Sequence, residues 1–299
     1  MQQLAHRVCA MSTNHQDQRL VRELAQKYPE KIIPAFGYHP WFSHFISLTH
    51  NVEKRVHYEK LFLKNTSLDS ITDFEDLLPH LPDPITLDSV LEDLRTNFAS
   101  LPADSPRVLG EVGLDSIFRV PHDYHASPRT LTPFTIPLEH QLAVVEAQLD
   151  LAVELGAAVS FHSVKCPEAT STLLLRLKQR HGDQWNRTRI DIHSCSMSPD
   201  SLKQLQRAHR NCLMSISTTI NAKSRHLRPL IAACAPDRLL IESDYNNIDN
   251  STAQCLEILN IVSEVRGWPI ETEWVESETE GAVHRLEANW EAFVRNPDA

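Results

Sequence analysis

The stretch Val108-Leu-Gly-Glu-Val-Gly-Leu-Asp115 decides the fold, because it joins an apolar run to two carboxylates and two glycines. The run predicts a buried strand that presents Glu111 to a site at its C-terminal end. Glycines on both sides of Glu111 allow backbone or ligand to approach closely. On this stretch alone, an ordinary strand followed by a helix-capping Asp115 explains the residues equally well. The rest of the chain has to decide between these two interpretations.

Six other short apolar runs are each followed by a helical pattern, which predicts βα units and a parallel sheet. These predicted strands lie near residues 8–12, 32–37, 157–162, 189–193, 212–217 and 238–243. Seven strands suit an open doubly wound sheet, whereas a closed TIM (β/α)8 barrel needs eight. Several of the strands end in polar residues, and barrel active sites lie at the C-terminal ends of strands. We therefore predict an α/β fold of the TIM-barrel type with seven recognisable strands.

Three polar, irregular segments interrupt the βα pattern, at about residues 43–86, 116–137 and 267–280. We interpret them as insertions in a single barrel domain that spans residues 1–299. The first insertion is expected to be partly helical. The second carries four prolines and is expected to be a long loop.

The composition excludes several classes of protein. A formal net charge of -10 over 299 residues argues against broad electrostatic adhesion to nucleic acid or to anionic membranes. No apolar run is long enough to predict a membrane span. The six cysteines are scattered without a Cys-x-x-Cys pair, and the N-terminus lacks a signal-peptide pattern. We therefore expect reduced thiols in a cytoplasmic or nuclear protein that is not secreted.

Four predicted strand ends carry side chains that bind divalent metals. They are Glu111, His162, His193 and Asp244. Two imidazoles and two carboxylates suit zinc, manganese or magnesium. A carboxylate that bridges two metals would activate a water and steady the oxygens of a phosphodiester, and Asp244 could act as a general base. A single strand-end His or Asp is more often structural, so the hypothesis depends on all four together.

Six segments resemble, in order and spacing, those of TatD-type metal-dependent hydrolases. They are Gly37-Tyr-His-Pro, Gly110-Glu-Val-Gly-Leu-Asp115, His162-Ser163, His193-Ser-Cys-Ser196, Glu242-Ser-Asp244 and Asn289-Trp-Glu-Ala-Phe293. The resemblance implies a barrel of the amidohydrolase kind that acts as a deoxyribonuclease with two divalent metals, and the insertions look most like fungal members. It implies that Glu111 bridges the metals and that His39 lies near the substrate. The further metal ligands that it implies are His162, His193 and Asp244.

The chain departs from the family pattern at three places. Family members begin with a strand that ends in His-x-His, and this sequence contains no His-x-His. We therefore expect the first strand to be missing and one of the two metal sites to be incomplete. Where the family usually has Arg, this chain has Val164 followed by Lys165, a point charge instead of a planar phosphate fork. Trp41 follows the Gly-x-His-Pro segment, where it could stack on a base or belong to the rim.

Three functional hypotheses stay open at this point. The first is a metal-dependent hydrolase of phosphodiester bonds in DNA, with His39, Lys165 and Trp41 in contact with the substrate. The second is a metal-dependent amidohydrolase on a small amide or lactone, which the absence of a strand-end lysine disfavours. The third is a catalytically impaired barrel that binds a protein partner through its insertions. The sequence identifies neither the metal nor the oligomeric state.

Overall fold

The computed structural model describes residues 6–64, 68–124, 126–277 and 279–295, with the backbone alone at residue 69. Residues 65–67, 125 and 278 of the predicted insertions therefore lie outside the description. In the described part of the chain no helix is both long and apolar enough to cross a membrane.

The predicted strands are confirmed and belong to one seven-stranded sheet. They are β1 (Val8–Met11), β2 (Ile32–Phe36), β3 (Val108–Asp115), β4 (Ala158–Val164), β5 (Ile190–His193), β6 (Cys212–Ile216) and β7 (Leu239–Ile241). Their hydrogen-bonded order follows the chain from β1 to β7. The β1–β2 pair is parallel, and so are the successive pairs from β4 to β7. This order is the one expected of successive βα units laid side by side.

Helices lie between and after these strands along the chain, as the hydrophobic periodicity predicts. They are α1 (His15–Lys27), α2 (Lys54–Phe62), α3 (Leu68–Leu77), α4 (Leu87–Ala99), α5 (Leu138–Leu155), α6 (Pro167–His181), α7 (Asp183–Arg187), α8 (Pro199–Ala208), α9 (Thr218–Asn221), α10 (Leu227–Ala233), α11 (Ser251–Arg266) and α12 (Ala282–Val294). Their ends follow ordinary capping chemistry. Asn14 and Ser198 accept hydrogen bonds from first-turn backbone N–H groups, and Gly267 ends α11 in the left-handed region.

The chain divides into two compact units. The first comprises residues 1–105, 109–151 and 164–166, and the second comprises residues 106–108, 152–163 and 167–299. The single barrel domain with insertions at 43–86, 116–137 and 267–280 stays a prediction.

Within the first unit, the first two predicted insertions share one hydrophobic core. Tyr58 and Phe74 of the α2–α3 segment are buried with Val120 and Phe134 of the second insertion. The second insertion was expected to be a long loop, but it contains an antiparallel pair of strands, Arg119–Pro121 and Leu131–Thr135. The side chains of Leu131–Thr135 are alternately exposed and buried, which fits a strand, although the prolines of this insertion suggested a loop.

Within the second unit, side-chain hydrogen bonds connect helix α12 to strand β7, which leads to the candidate site. The buried Asn289 amide donates hydrogen bonds of 2.8 Å to the carbonyl oxygens of Pro236 and Leu239. Both carbonyls belong to the chain that enters β7. The side chain therefore satisfies two backbone acceptors while it holds the helix in place.

Candidate metal centre

In the second unit, two histidines end neighbouring strands in the same register. His162 of β4 lies opposite His193 of β5, and their ring centroids are 6.4 Å apart. Parallel strands place such residues side by side at one edge of the sheet. The structure thus places these two sequence-predicted site residues side by side, and their role as metal ligands stays a prediction.

The imidazole of His193 lies between two carboxylates. Its Nδ1 is 2.8 Å from Oε2 of Glu242, and its Nε2 is 3.3 Å from Oδ1 of Asp244. Its side chain is only 6% exposed. Two ligand atoms about 2.0–2.2 Å from one tetrahedral ion are themselves about 3.4 Å apart, so the second separation suits a shared metal. The residues present therefore fit a divalent ion held by Nε2 of His193 and Oδ1 of Asp244.

A hydrogen-bond network fixes the carboxylate of Glu242. Its Oε1 accepts from the backbone N–H of Ser194 at 2.8 Å and from the hydroxyls of Ser194 and Ser215, each at 2.9 Å. The Ser215 hydroxyl is also 2.7 Å from Oδ2 of Asp191. Burial, and secondly the charge of Glu242, raise the pKa of Asp191. The single hydroxyl proton of Ser215 thus lies between two carboxylates. Of these two, the buried Asp191 is the one that favours its neutral form.

Backbone strain marks the ends of several strands. Within the second unit, Ser194 after β5 has φ 37° and Asp244 after β7 has φ 47°. Within the first unit, Lys165 after β4 has φ 56°. Non-glycine residues rarely adopt this left-handed region, and strained residues concentrate at functional sites. Within the second unit, the observation supports a functional role for the chain after β5 and β7.

In the first unit, His39 and Glu111 form a buried pair. Nε2 of His39 is 3.2 Å from Oε1 of Glu111, and the side chains are 5% and 12% exposed. Nδ1 of His39 accepts a hydrogen bond from the backbone N–H of Trp41 at 3.1 Å. In the neutral ring the proton therefore lies on Nε2 and points at Glu111. As arranged, Nε2 of His39 faces Glu111 as a donor, and it could bind a metal only after losing this proton; its role near the substrate stays a prediction.

Close packing of β2 against β3 brings this pair together. A Cβ atom on Gly37 would lie 2.8 Å from both the carbonyl carbon of Gly110 and Cγ1 of Val112. Only glycine allows this approach. Backbone hydrogen bonds of 2.9 Å from His39 to Thr13 and from Glu111 to Ser12 fix the two segments.

Trp41 is held by its neighbours in the first unit. Its Nε1 donates to Oδ2 of Asp115 at 2.8 Å, and its ring stacks on Phe118 with centroids 4.8 Å apart. Oδ1 of Asp115 accepts from the backbone N–H groups of Ile117 and Phe118, so this aspartate closes a turn. One face of the indole is thus covered by Phe118. Base stacking by Trp41 stays a prediction and would have to use the other face.

Each unit contributes residues that could hold a metal ion. In the first unit these are His39 and Glu111, and in the second unit His162 is such a residue. The His193–Asp244 pair adds an imidazole and a carboxylate in the second unit. Imidazole with carboxylate suits zinc or manganese, and the same donors accept magnesium less readily. The charged end of the exposed Lys165 adds a cation after β4.

Comparison with known proteins assigns the chain. A family model described as "TatD related DNase" matches residues 2–287. The chain belongs to the TatD family. Among its relatives, the "Cut9-interacting protein scn1" of Schizosaccharomyces pombe is 30% identical over 97% of this chain and 91% of its own length. The "Uncharacterized deoxyribonuclease YMR262W" of Saccharomyces cerevisiae is 26% identical over 96% of this chain and 90% of its own length.

Solved structures confirm the fold. The YJJV TatD homolog from Escherichia coli superposes with a TM-score of 0.60 at 18% identity, over 96% of this chain and 86% of that one. An uncharacterized amidohydrolase from Saccharomyces cerevisiae gives a TM-score of 0.61 at 15% identity, over 96% and 87%. The TatD-family chain thus has the predicted TIM-barrel type of fold, with seven strands in its described sheet.

Sequence reasoning on this TatD-family chain missed the network behind His193. Glu242 was quoted as part of a motif but given no role, and Asp191 and Ser215 were not considered. A usable signal was present in the alternation of polar residues at strand ends. Asp191 and His193, or Glu242 and Asp244, are two residues apart, and extended chains place such residues on the same face.

Proposed function

We propose that this TatD-family protein is a metal-dependent hydrolase of phosphodiester bonds that acts on DNA. The observation that carries the proposal is the arrangement of His193 between the carboxylates of Glu242 and Asp244. A buried imidazole with one carboxylate at each ring nitrogen, at 2.8 Å and 3.3 Å, is typical of a metal ligand with its supporting residue.

The proposed roles follow the chemistry of each side chain. Glu111, His162, His193 and Asp244 are the proposed ligands, with Glu111 as bridge and Asp244 as the acceptor of a proton from the attacking water. Divalent metal, when bound, supplies an activated water and neutralises charge on the phosphoryl oxygens. His39 can donate its Nε2 proton to a phosphate oxygen, Lys165 offers a charge for the next phosphate and Trp41 a surface for a base. The printed name of the budding yeast relative supports DNA as the substrate class.

Metal removal tests the proposal directly. The protein is dialysed against EDTA, and hydrolysis of single-stranded DNA and of bis(p-nitrophenyl) phosphate is measured with and without added Mg²⁺, Mn²⁺ or Zn²⁺. We expect activity with metal only. Asp244→Asn should lower kcat by about 100-fold or more, whereas Asp237→Asn, an exposed aspartate before the same strand, should not. Activity that survives both EDTA and Asp244→Asn would overturn the proposal.

The number of bound metals tests a finer part of the proposal. We propose that one of the family's two metal sites is incomplete here, because the sequence contains no His-x-His. Metal analysis should then give fewer than two ions per chain. Two tightly bound ions would show that other residues replace the missing pair.

A second candidate function is binding of a protein partner through the insertions. The name of the fission yeast relative, "Cut9-interacting protein", describes such an interaction for that protein. In this chain the insertion helices expose Val56, Leu68 and Ile71, by 51%, 84% and 43%. Exposed apolar side chains that lie on neighbouring helices are typical of contact surfaces. Pull-down of a soluble partner that Leu68→Glu with Ile71→Glu abolishes would support it, and equal capture by the variant would not.

The substrate class and the compartment complete the proposal. An amidohydrolase activity on a small amide or lactone is the alternative outcome of the same assay, tested with p-nitroacetanilide and a lactone. We also propose that the protein works in the cytoplasm or nucleus, because its six cysteines are scattered along the sequence without a Cys-x-x-Cys pair.

A further inference from the structure

We propose that Glu242 is the positioning residue of the metal centre, and that it holds the His193 ring with its proton on Nδ1 and its Nε2 toward Asp244. The metal part of this inference rests on the proposed function. The positioning part rests on hydrogen bonds within the second unit alone. It assigns to Glu242 a role that is distinct from ligation.

Each oxygen of the Glu242 carboxylate has its own hydrogen-bond partners. Oε1 accepts three hydrogen bonds, from the N–H and the hydroxyl of Ser194 and from the hydroxyl of Ser215. Oε2 lies 2.8 Å from Nδ1 of His193. An ionised carboxylate only accepts hydrogen bonds, so the His193 nitrogen that faces it has to carry the proton. The three donors on Oε1 prevent the carboxylate from rotating away.

The tautomer decides what the other side of the ring can do. With its proton on Nδ1, neutral His193 presents a lone pair on Nε2, 3.3 Å from Oδ1 of Asp244. A lone pair and a carboxylate oxygen repel each other at this distance unless a proton or a cation lies between them. The arrangement is therefore prepared for a cation before the cation arrives, which lowers the reorganisation needed for binding.

Asp244 is the weaker candidate for the orienting role. Its oxygen is 3.3 Å from the ring nitrogen, compared with 2.8 Å for Glu242. The two side chains are similarly exposed, at 23% and 21%, so the shorter contact decides, and it assigns the orienting role to Glu242. Glu242 also belongs to the segment Glu242-Ser-Asp244, so one short segment after β7 supplies both the orienting group and the proposed ligand.

The Glu242→Gln variant changes the tautomer while it preserves the shape. Its amide oxygen is expected to face the three donors that Oε1 now serves, which leaves the NH2 group against Nδ1 of His193. Because an NH2 group only donates, Nδ1 would have to accept, and the ring proton would move to Nε2. Protonated Nε2 cannot bind a metal.

The chain offers a closely matched control in Glu271→Gln. Glu271 also contacts the Nδ1 of a buried histidine, His284, at 2.9 Å. Its side chain is 10% exposed, and His284 is not a proposed ligand. The control thus repeats the same Glu-to-Gln change beside a histidine in the same unit without touching the metal centre.

The experiment measures Mn²⁺ affinity by calorimetry and the His193 tautomer by ¹⁵N NMR of the metal-free protein. Melting curves confirm that each variant is folded at the temperature used. We expect Glu242→Gln to weaken Mn²⁺ binding by about 10- to 100-fold and to move the His193 proton from Nδ1 to Nε2. Glu271→Gln should leave both readouts as they are in the wild-type protein.

The two readouts separate this inference from the proposed function. If the wild-type protein binds no Mn²⁺, the proposed function fails, and the tautomer alone still tests the role of Glu242. An unchanged tautomer in Glu242→Gln overturns the inference whatever the metal result. Unchanged Mn²⁺ affinity in a variant whose tautomer has moved overturns its link to the metal centre.

Discussion

Replacing Glu271 by Ala is expected to loosen the start of helix α12. The helix begins after Gly281, whose position provides no side-chain cap. Glu271 takes over that task from outside the helix, because its carboxylate accepts from the backbone N–H groups of Val283 and His284 and from Nδ1 of His284. A carboxylate at a helix N-terminus also interacts favourably with the helix dipole.

The size of the effect follows from the pKa of Glu271. Hydrogen bonds to the carboxylate outweigh the opposing effect of burial and lower that pKa from 4.5 to about 2. At 1.36 kcal/mol per unit this corresponds to at most about 3.4 kcal/mol. Solvent near the carboxylate screens part of it, so we expect about 2 kcal/mol at pH 7. A lost helix cap with buried partners costs a similar amount.

The sign of the pH dependence gives a second check. Since the pKa in the folded protein is lower than in the unfolded chain, the contribution is complete above about pH 5 and is lost as the pH falls toward 2. Urea denaturation followed by circular dichroism should show a difference between wild type and Glu271→Ala that shrinks to about half at pH 3.5. A difference below about 0.5 kcal/mol at pH 7, or one that stays constant with pH, would refute the reasoning.

Three further predictions concern other parts of the molecule. Burial lowers the pKa of His44 to about 3, so below about pH 6.5 stability should fall by up to about 1.4 kcal/mol per pH unit. His44→Leu should reduce that slope in urea titrations, and an equal slope would contradict the assignment. Asn289→Ala should cost about 1–3 kcal/mol, because the buried carbonyl of Leu239 and the carbonyl of Pro236 lose their donor, whereas the exposed Asn260→Ala should cost little. Lys165→Ala should raise the KM for single-stranded DNA and weaken its salt dependence at constant kcat; identical kinetics would make Lys165 a surface charge.

The strands were predictable because each is short, apolar and buried. The apolar runs near Val108 and Ile190 predict strands without any other information. The polar residues at their C-terminal ends are expected at one edge of a parallel sheet. The same pattern places His162 and His193 near the C-terminal ends of their strands, and the register of β4 and β5 sets the two residues opposite each other. Local sequence thus determined both the elements and the direction of their functional ends.

What the sequence could not predict depends on contacts between distant residues. The strand pair Arg119–Pro121 and Leu131–Thr135 forms where Phe134 finds partners on the helices of the first insertion. Likewise, the role of His39 depends on the backbone N–H of Trp41, which determines the nitrogen that carries the proton. Burial partners and proton positions are properties of the packed chain, and hydrophobic periodicity does not report them.

The left-handed backbone at Ser194 and Asp244 bears on how this protein would respond to artificial selection. Glycine is the residue that such a conformation favours, and substitution to glycine there releases strain of about 1 kcal/mol or more. A library screened for heat resistance alone would therefore enrich Ser194→Gly and Asp244→Gly. The survivors would melt later and lose a donor to Glu242 or a proposed ligand. Selection for heat resistance and selection for catalysis would therefore favour different residues at positions 194 and 244. Sequencing such a library would map the site without a substrate.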